Sequence, residues 1–462
     1  MSPIAEKLSF KRIFVFWAPL SATWLMMALE GPFLGAVIAH LADPKFNLAA
    51  YGAATAIAMI VESPILMILS AAITMVENKY TFLKMRNFTY ALNAIITAIM
   101  LILLIPPVFD ALAFGLMKLP AEIGRLMYAG LVCLITWPAA IGFRRFYQGL
   151  LIKNNLTRRV AYGTVVRLLV MAAVAGIGAV FFKDADGVII GASGLAAGVL
   201  FESIATRFMA HSTMKKYMRE ENVIPAEKLG YGQIAKYYYP LALTSFIGMS
   251  VGPITTFFIG QGRLPIESLA VLPVVDSMVF VFRSFGMSFQ EAAMALVGDK
   301  FEHYRQLRKF AFMIAGCTIT ALGILTFTPL SMFWFEKVIG LSPELSEFAV
   351  IPARIMVVLP AFTAILSWQR SILLKTKTNV PVTISTMIDV SFTVIILLFG
   401  IFGMNSVGVI AAATALVLAR TIATTYMYFP YSREIAKHGG ETWLTRLGEL
   451  LPGKIAVKFR SF

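Results

Sequence analysis

The sequence predicts an all-α polytopic membrane protein, with twelve transmembrane helices arranged as two parallel six-helix lobes. Three observations predict this class: the composition is apolar, twelve segments could each cross a bilayer, and the chain repeats itself. Hydrophobic residues make up 58% of the 462 residues, charged residues make up only 14%, and the mean hydropathy is +0.78. An ordinary soluble domain carries about 25% charged residues, so the composition excludes a soluble globular protein.

Twelve segments meet the requirement for a transmembrane helix, which is about 20 mostly apolar residues. They lie near residues 13–42, 48–76, 87–108, 122–152, 158–182, 187–214, 233–262, 266–297, 307–335, 344–374, 380–403 and 406–432.

The loops between these segments alternate in charge. Lys and Arg are concentrated in every second loop, and the positive-inside rule then places both termini in the cytoplasm. The formal net charge of +15 arises mainly from these loops, so it indicates topology rather than nucleic-acid binding. We therefore expect a multi-pass protein of the cell (inner, cytoplasmic) membrane whose partners are the lipid bilayer and a small molecule, working as a monomer.

The chain contains an internal repeat, because a shift of 221 residues aligns its first half with its second. The shift brings the Gly31–Pro32 pair onto Gly252–Pro253 and two further prolines onto prolines. Proline removes a backbone hydrogen bond and bends a helix, so Gly31, Pro32, Gly252 and Pro253 are hinge candidates, with a static packing kink as the alternative. Six spans per copy is an even number, which makes the copies parallel repeats.

The repeat also sets the predicted domains. These are an N-lobe at residues 1–214, a cytoplasmic interlobe linker at 215–232, a C-lobe at 233–435, and a cytoplasmic amphipathic tail at 436–462. Two lobes joined by a linker of this length can rock against each other.

Glu62 stands in the middle of the second apolar segment, and the shift places it on Arg283 in the eighth. An ionised side chain at bilayer depth costs at least about 2.5 kcal/mol on insertion scales, so it should be paired or functional. Equivalent positions in parallel repeats approach each other when they face the symmetry axis. We therefore predict that Glu62 and Arg283 form a midplane ion pair between the lobes, or two poles of one site.

The eighth segment carries further polar residues around Arg283. Asp276, Arg283 and Gln290 recur every seven residues, which puts them on one helical face, with Glu291 beside them. This stripe should face protein or water. The alternative is that Asp276 or Glu291 only neutralises Arg283 inside the C-lobe.

Other charged residues also lie within apolar segments. Glu30, beside the Gly31–Pro32 pair, is the candidate coupling site, because a carboxyl group in apolar surroundings can carry a proton. Arg144, Arg145 and Arg370 lie toward the predicted cytoplasmic side. They are either snorkelling anchors or a cationic mouth for an anion, because guanidinium forks match carboxylate and phosphate groups.

Several charges are exchanged in sign between the halves. A shift of 222 places Arg167 on Asp389, and a shift of 218 places Glu202 on Arg420. Arg354 is one more arginine in the tenth segment.

The sequence lacks the signatures of several other classes. It has no Gly-rich phosphate loop of the ATPase type, so energy should come from a gradient of protons or sodium ions. Cys133 and Cys317 have no partner at motif spacing, and the four histidines have no metal-ligand spacing, so we expect no metal and no cofactor. No combination of nucleophile, base and orienting residue indicates an enzyme.

Short motifs resemble a known group of proteins. The parallel halves and the opening pair of helices resemble the multidrug/oligosaccharidyl-lipid/polysaccharide exporter (MOP) superfamily, which includes the multidrug and toxin extrusion (MATE) transporters. Within it, "AAYGAA" at 49–54, "GLLIKNNLT" at 149–157 and "YYYPLAL" at 237–243 resemble the progressive ankylosis protein family. The resemblance implies a V-shaped, MATE-like secondary active transporter. The ankylosis-like branch implies export of small anions such as pyrophosphate, nucleotides or citrate.

The sequence therefore leads us to expect a secondary active transporter that exports a small organic or phosphate-containing anion by alternating access. One alternative is a proton- or sodium-coupled exporter of drugs or other cations, although the seventh segment lacks the acidic residue that the drug-extrusion pattern implies. A flippase for a lipid-linked substrate is a further alternative.

Overall fold

The computed structural model describes residues 8–117, 119–182, 185–219 and 229–437. Within these ranges, twelve helices are long and apolar enough to cross a membrane, which confirms the predicted fold class. We number them spans 1 to 12. Their bounds are Phe10–Ala39, Pro44–Met75, Lys79–Leu103, Ala121–Lys153, Thr157–Phe181, Gly187–Met209, Tyr231–Ile259, Pro265–Leu296, Tyr304–Phe327, Pro343–Lys375, Val380–Gly403 and Gly408–Lys437.

Span 3 begins at Lys79, well before its predicted start near residue 87. The side chain of Asn78 accepts a hydrogen bond from the backbone N–H of Thr81 at 3.0 Å, and the Thr81 hydroxyl accepts one from the backbone N–H of Asn78, also at 3.0 Å. This reciprocal cap starts the helix among polar residues. Hydropathy detects only the apolar part of the helix, so it missed the first two turns.

The first Gly-Pro pair accompanies a break in its helix, and the second does not. The α-helix of span 1 is interrupted at Leu29, three residues before Pro32, which lacks the N–H that would bond to the carbonyl of Ala28. Span 7 continues as α-helix through Gly252–Pro253. The role of either pair as a hinge stays a prediction.

Span 2 changes its helical form at Glu62. The α-helix Pro44–Glu62 gives way to a 3₁₀ turn at Ser63–Ile65. The Ser63 hydroxyl donates a hydrogen bond to the carbonyl oxygen of Ile60 at 2.7 Å, which satisfies one of the carbonyl groups at the helix end. Glu62 therefore occupies the last turn of a helical segment rather than a regular helix interior.

The packing divides the chain into two compact units. One, here called the N-unit, is Ala22–Met249, and the other, the C-unit, combines Met1–Ser21 with Ser250–Phe462. The chain crosses between units inside span 1 and inside span 7, whereas the predicted lobes divide at the linker. The domain boundaries of the lobes stay a prediction, and the predicted tail beyond Lys437 lies outside the described residues.

Each unit contains a helix segment from the other sequence repeat. In the C-unit, Trp17 Nε1 donates to Ser288 Oγ at 2.9 Å and lies 3.3 Å from the carbonyl oxygen of Phe285. In the N-unit, the Tyr238 hydroxyl donates to the carbonyl oxygen of Pro64. The 221-residue shift places Trp17 on Tyr238 and Pro64 on Phe285. The same side chain-to-carbonyl contact is thus made at equivalent positions in both units.

We predict that Tyr238→Phe lowers the free energy of unfolding by about 1 kcal/mol, because it removes the hydroxyl donor. It keeps the ring, which packs edge-on against Phe88 at 5.4 Å between centroids. Thermal unfolding of the purified protein in detergent measures the change. Tyr239→Phe, at a side chain that is 69% exposed, is the control, and an equal melting temperature for both variants would contradict the prediction.

Candidate functional site

The N-unit buries a network of four ionisable side chains. Arg167 forms an ion pair with Glu30, Arg144 forms one with Glu202, and Arg167 Nη1 lies 3.6 Å from Glu202 Oε2, so the four groups are continuous. All four side chains are buried. The network joins spans 1, 4, 5 and 6 through charges that neutralise one another.

Neutral side chains complete the environment of Glu202. Thr164 Oγ1 donates to Glu202 Oε1 at 3.1 Å, and Gln148 Nε2 donates to the same oxygen at 3.3 Å. Both carboxylate oxygens of Glu202 therefore have partners, as a buried charge requires.

A glycine allows spans 5 and 6 to approach closely at this network. A Cβ atom placed on Gly198 would lie 2.9 Å from the carbonyl oxygen of Arg167. Small residues of this kind bring membrane helices into close contact, and here the close contact puts Arg167 and Glu202 within reach of each other.

Glu62 lies near this network without a matching partner. Its side chain is 4% exposed, and its Oε2 atom has no hydrogen-bond partner among the described residues. The charges that act on it come from Arg144 and Arg145, with Arg167 contributing less. Within the N-unit, the charged groups that act on Glu62 are therefore arginines.

Of the two adjacent arginines, Arg144 differs from the predicted snorkelling anchor. Arg144 is buried and ion-paired, so it is not a snorkelling side chain. The Arg145 guanidinium lies 5.9 Å from the centroid of the Trp24 ring, a cation–π arrangement. Arg144 therefore belongs to the interior of the N-unit.

The C-unit contains a second cluster of charges, with more arginine than acid. Arg420 Nη2 lies 2.8 Å from Asp389 Oδ2, and Arg283 Nη1 lies 3.9 Å from Asp276 Oδ1. Arg370 forms an ion pair with none of the described carboxylates and donates from Nη2 to the Thr386 hydroxyl at 2.9 Å. Arg420 acts electrostatically on both Arg283 and Arg370, which makes the three guanidinium groups one cluster.

Of the two acids in this cluster, Asp389 is held firmly and Asp276 is not. The Asp276 side chain is 51% exposed and its pairing with Arg283 is loose. Arg283 is instead oriented by Thr363, whose hydroxyl accepts from its Nε at 3.3 Å. Three arginines against Asp389 and a half-exposed Asp276 leave the cluster with positive charge.

The two clusters occupy equivalent positions with opposite polarity. Arg167 and Glu202 approach to 3.6 Å in the N-unit, and their repeat equivalents Asp389 and Arg420 are paired at 2.8 Å in the C-unit. The residues whose charges are exchanged between the two repeats therefore form an ion pair in each unit. The shift of 222 also places Gln148 on Arg370, so a neutral position of one cluster is cationic in the other.

The structure does not bring all the predicted site residues together. Glu62 belongs to the N-unit and Arg283 to the C-unit, and their pairing stays a prediction. Arg354 donates from Nε to the carbonyl oxygen of Thr326 at 3.1 Å, and its contacts lie at the end of span 9. Glu291 is buried. The neutral partners Gln148, Thr164, Thr363 and Thr386 were missed, although their positions one or two turns from charged residues offered a signal.

Comparison with solved structures identifies the fold of the chain. No family model matches the chain, and no curated protein matches it. Among solved structures, it is similar to a MATE protein in the bent conformation, with a TM-score of 0.71 at 14% identity over 93% of this chain and 96% of that one.

Two further structures come from named organisms. A MOP superfamily transporter from Pyrococcus furiosus, described as having a binding pocket of reverse polarity that suggests a different function, has a TM-score of 0.71 at 14% identity, covering 93% of this chain and 97% of that one. A mutant of the Vibrio cholerae MATE transporter VcmN has a TM-score of 0.70 at 15% identity, covering 92% and 97%. The chain has the MATE fold. At these identities the likeness establishes the fold and not the activity.

We predict that Glu202→Gln lowers the free energy of unfolding by about 3–5 kcal/mol, because it leaves Arg144 charged and buried without its carboxylate. Adding Arg144→Met should recover part of the loss by removing the unpaired charge. Thermal unfolding of the purified variants measures both effects.

The control is Asp299→Asn, which breaks an ion pair with Lys375. The Asp299 side chain is 93% exposed. A surface pair of this kind contributes less than about 1 kcal/mol. A double variant that is less stable than Glu202→Gln would contradict the proposed role of the network.

Proposed function

We propose that this protein is a secondary active transporter that exports a small organic or phosphate-containing anion by alternating access. The observation that carries the proposal is the arginine cluster of the C-unit, formed by Arg283, Arg370 and Arg420. The MATE fold, which solved transporter structures share, is consistent with a transport role for this cluster.

The chemistry of the cluster suits an anion. Guanidinium groups present several fixed donors that match carboxylate and phosphate oxygens. Nε of Arg370 and Nε of Arg420 have no hydrogen-bond partner among the described residues, so donors remain for a ligand. A buried donor without a partner costs about 1–3 kcal/mol, and an entering anion would remove that cost.

Asp276 is suited to act as a substitute for the substrate. Its carboxylate is the acid nearest to Arg283, yet it is loosely held and half exposed. We infer that the anion replaces Asp276 at Arg283, while Asp389 keeps Arg420 oriented.

A solved structure with the same fold supports a binding pocket of reversed polarity. The Pyrococcus furiosus transporter is described as having a pocket of reverse polarity. For the present chain, we propose the same principle, with a cationic cluster in the C-unit. The pyrophosphate, nucleotide or citrate class follows from the resemblance to the progressive ankylosis family and belongs to this proposal.

The N-unit would then supply coupling and gating. Protonation of Glu30 would release Arg167 from its ion pair next to the break in span 1. Glu62, with one unpartnered oxygen, could pair with Arg283 at one stage of the cycle, as predicted for the midplane pair. The gradient would be of protons or sodium ions, and neither a cofactor nor a catalytic residue is required.

The alternative function is a proton- or sodium-coupled exporter of drugs or other cations. The buried acids Glu30, Glu62 and Glu202 of the N-unit favour it, as do the MATE structures to which the chain is similar. Glu30 and Glu202 are already neutralised by arginines. Of these three acids, Glu62 is the one that could attract a cation. A flippase for a lipid-linked substrate has no comparable observation in its favour.

We predict that Arg283→Gln and Arg370→Gln each reduce kcat/KM for an anion at least about tenfold, because each removes a charged hydrogen bond worth about 1.5–3 kcal/mol. The measurement is uptake of labelled pyrophosphate, ATP and citrate into proteoliposomes, with and without an imposed proton or sodium gradient. Arg263→Gln, an exposed loop arginine, is the matched control. Normal flux of cationic dyes without any anion flux would discard the anion proposal.

We also predict that Asp276→Asn lowers the KM for the transported anion by a factor of about two to five, since it removes the acid that competes for Arg283. Asp299→Asn removes an exposed carboxylate elsewhere in the C-unit and should leave the KM unchanged. An increased KM in Asp276→Asn would show that Asp276 helps to bind the substrate instead of competing with it.

A further inference from the structure

A short basic helix follows span 6. It extends over His211–Arg219 and carries Lys215, Lys216 and Arg219. Together with Ser212, these side chains line an open concavity of about 470 Å³. None of the three cations has an ion-pair partner among the described residues. Within the described part of the chain, the concavity therefore presents positive charge.

The helix is firmly attached to the N-unit. Tyr217 is buried and its ring stacks on Phe82, with 5.9 Å between centroids and 2° between planes. Asn154 Nδ2 also donates to the Tyr217 hydroxyl at 3.2 Å. Because Tyr217 and the buried Thr213 hold one face, the basic face is fixed outward.

The concavity lies at the level where two spans end. Span 6 ends at Met209, and Arg159 lies in the first turn of span 5. Arg159 Nη1 donates to the carbonyl oxygen of Met209 at 2.6 Å and to Ser212 Oγ at 3.1 Å. This arrangement joins the start of the basic helix to the ends of both spans. Where these spans cross a bilayer, their ends lie at the depth of the lipid headgroups.

We infer that this concavity binds the phosphate headgroup of an anionic phospholipid. Basic residues beside transmembrane helices attract anionic lipids with about 1 kcal/mol per Lys or Arg, and a serine hydroxyl adds a donor for a phosphate oxygen. A free phosphate ion offers the same chemistry. The position at the ends of spans 5 and 6 favours the lipid, whose acyl chains would lie along the same helices.

The test is native mass spectrometry of the purified full-length protein, titrated in detergent with phosphatidylglycerol or phosphatidylcholine. Wild type is compared with a triple variant, Lys215→Gln, Lys216→Gln and Arg219→Gln. The matched control is Lys300→Gln, Arg305→Gln and Lys309→Gln, three exposed cations in and after the loop that joins spans 8 and 9. A third arm adds excess inorganic phosphate.

We expect wild type and control to bind phosphatidylglycerol at least about fivefold more tightly than phosphatidylcholine, and the triple variant to lose this preference. Excess phosphate should displace little lipid. Equal preference in all three proteins would overturn the assignment. Complete displacement by phosphate would also overturn it, because the concavity would then bind a soluble anion. Circular dichroism of the triple variant establishes that it is folded.

Discussion

The cost of placing charge in an apolar interior governs this molecule. The described part of each unit contains several ionised side chains at the depth of its membrane-spanning helices, and such groups persist only where a partner or a function compensates them. The N-unit meets this requirement with a continuous network in which Arg167 is shared by Glu30 and Glu202. The C-unit meets it less completely, with one close pair, one loose pair and an arginine held by a threonine. This difference is the physical basis for the proposal that an anion binds in the C-unit.

The repeat explains why the two clusters are related and yet differ. Equivalent positions receive equivalent helices, so an ion pair between spans 5 and 6 has its counterpart between spans 11 and 12. Reversing both charges of a pair preserves its attraction, and therefore costs little in stability. Replacing a neutral residue, such as Gln148, by an arginine at the equivalent position 370 changes the net charge. Such a change leaves one cluster with more positive charge than its counterpart.

Much of the fold could be predicted from the sequence, and the contacts within the site could not. Twelve apolar segments and the 221-residue repeat specify the helices and the sign exchange at Arg167 and Glu202. The partners of these residues depend on helix rotation and close approach, such as the contact of Gly198 with the backbone of Arg167, which a linear shift does not contain. Hydropathy also missed the polar cap at Asn78. The placement of Trp17 with the C-terminal repeat is equally invisible in the sequence, because aromatic residues suit many apolar surroundings.

The exchanged contacts of Trp17 and Tyr238 bear on the origin of the chain. A single six-helix repeat, folded alone, would leave the carbonyl at the position of Pro64 or Phe285 without the aromatic donor that now reaches it. Two copies of such a repeat would satisfy both carbonyl groups by exchanging the first halves of their first helices, which is domain swapping in a symmetric dimer. A gene fusion that joined the two copies would have kept this exchange. On that origin, the two contacts, one in each unit, would be what is left of the interface between the two copies.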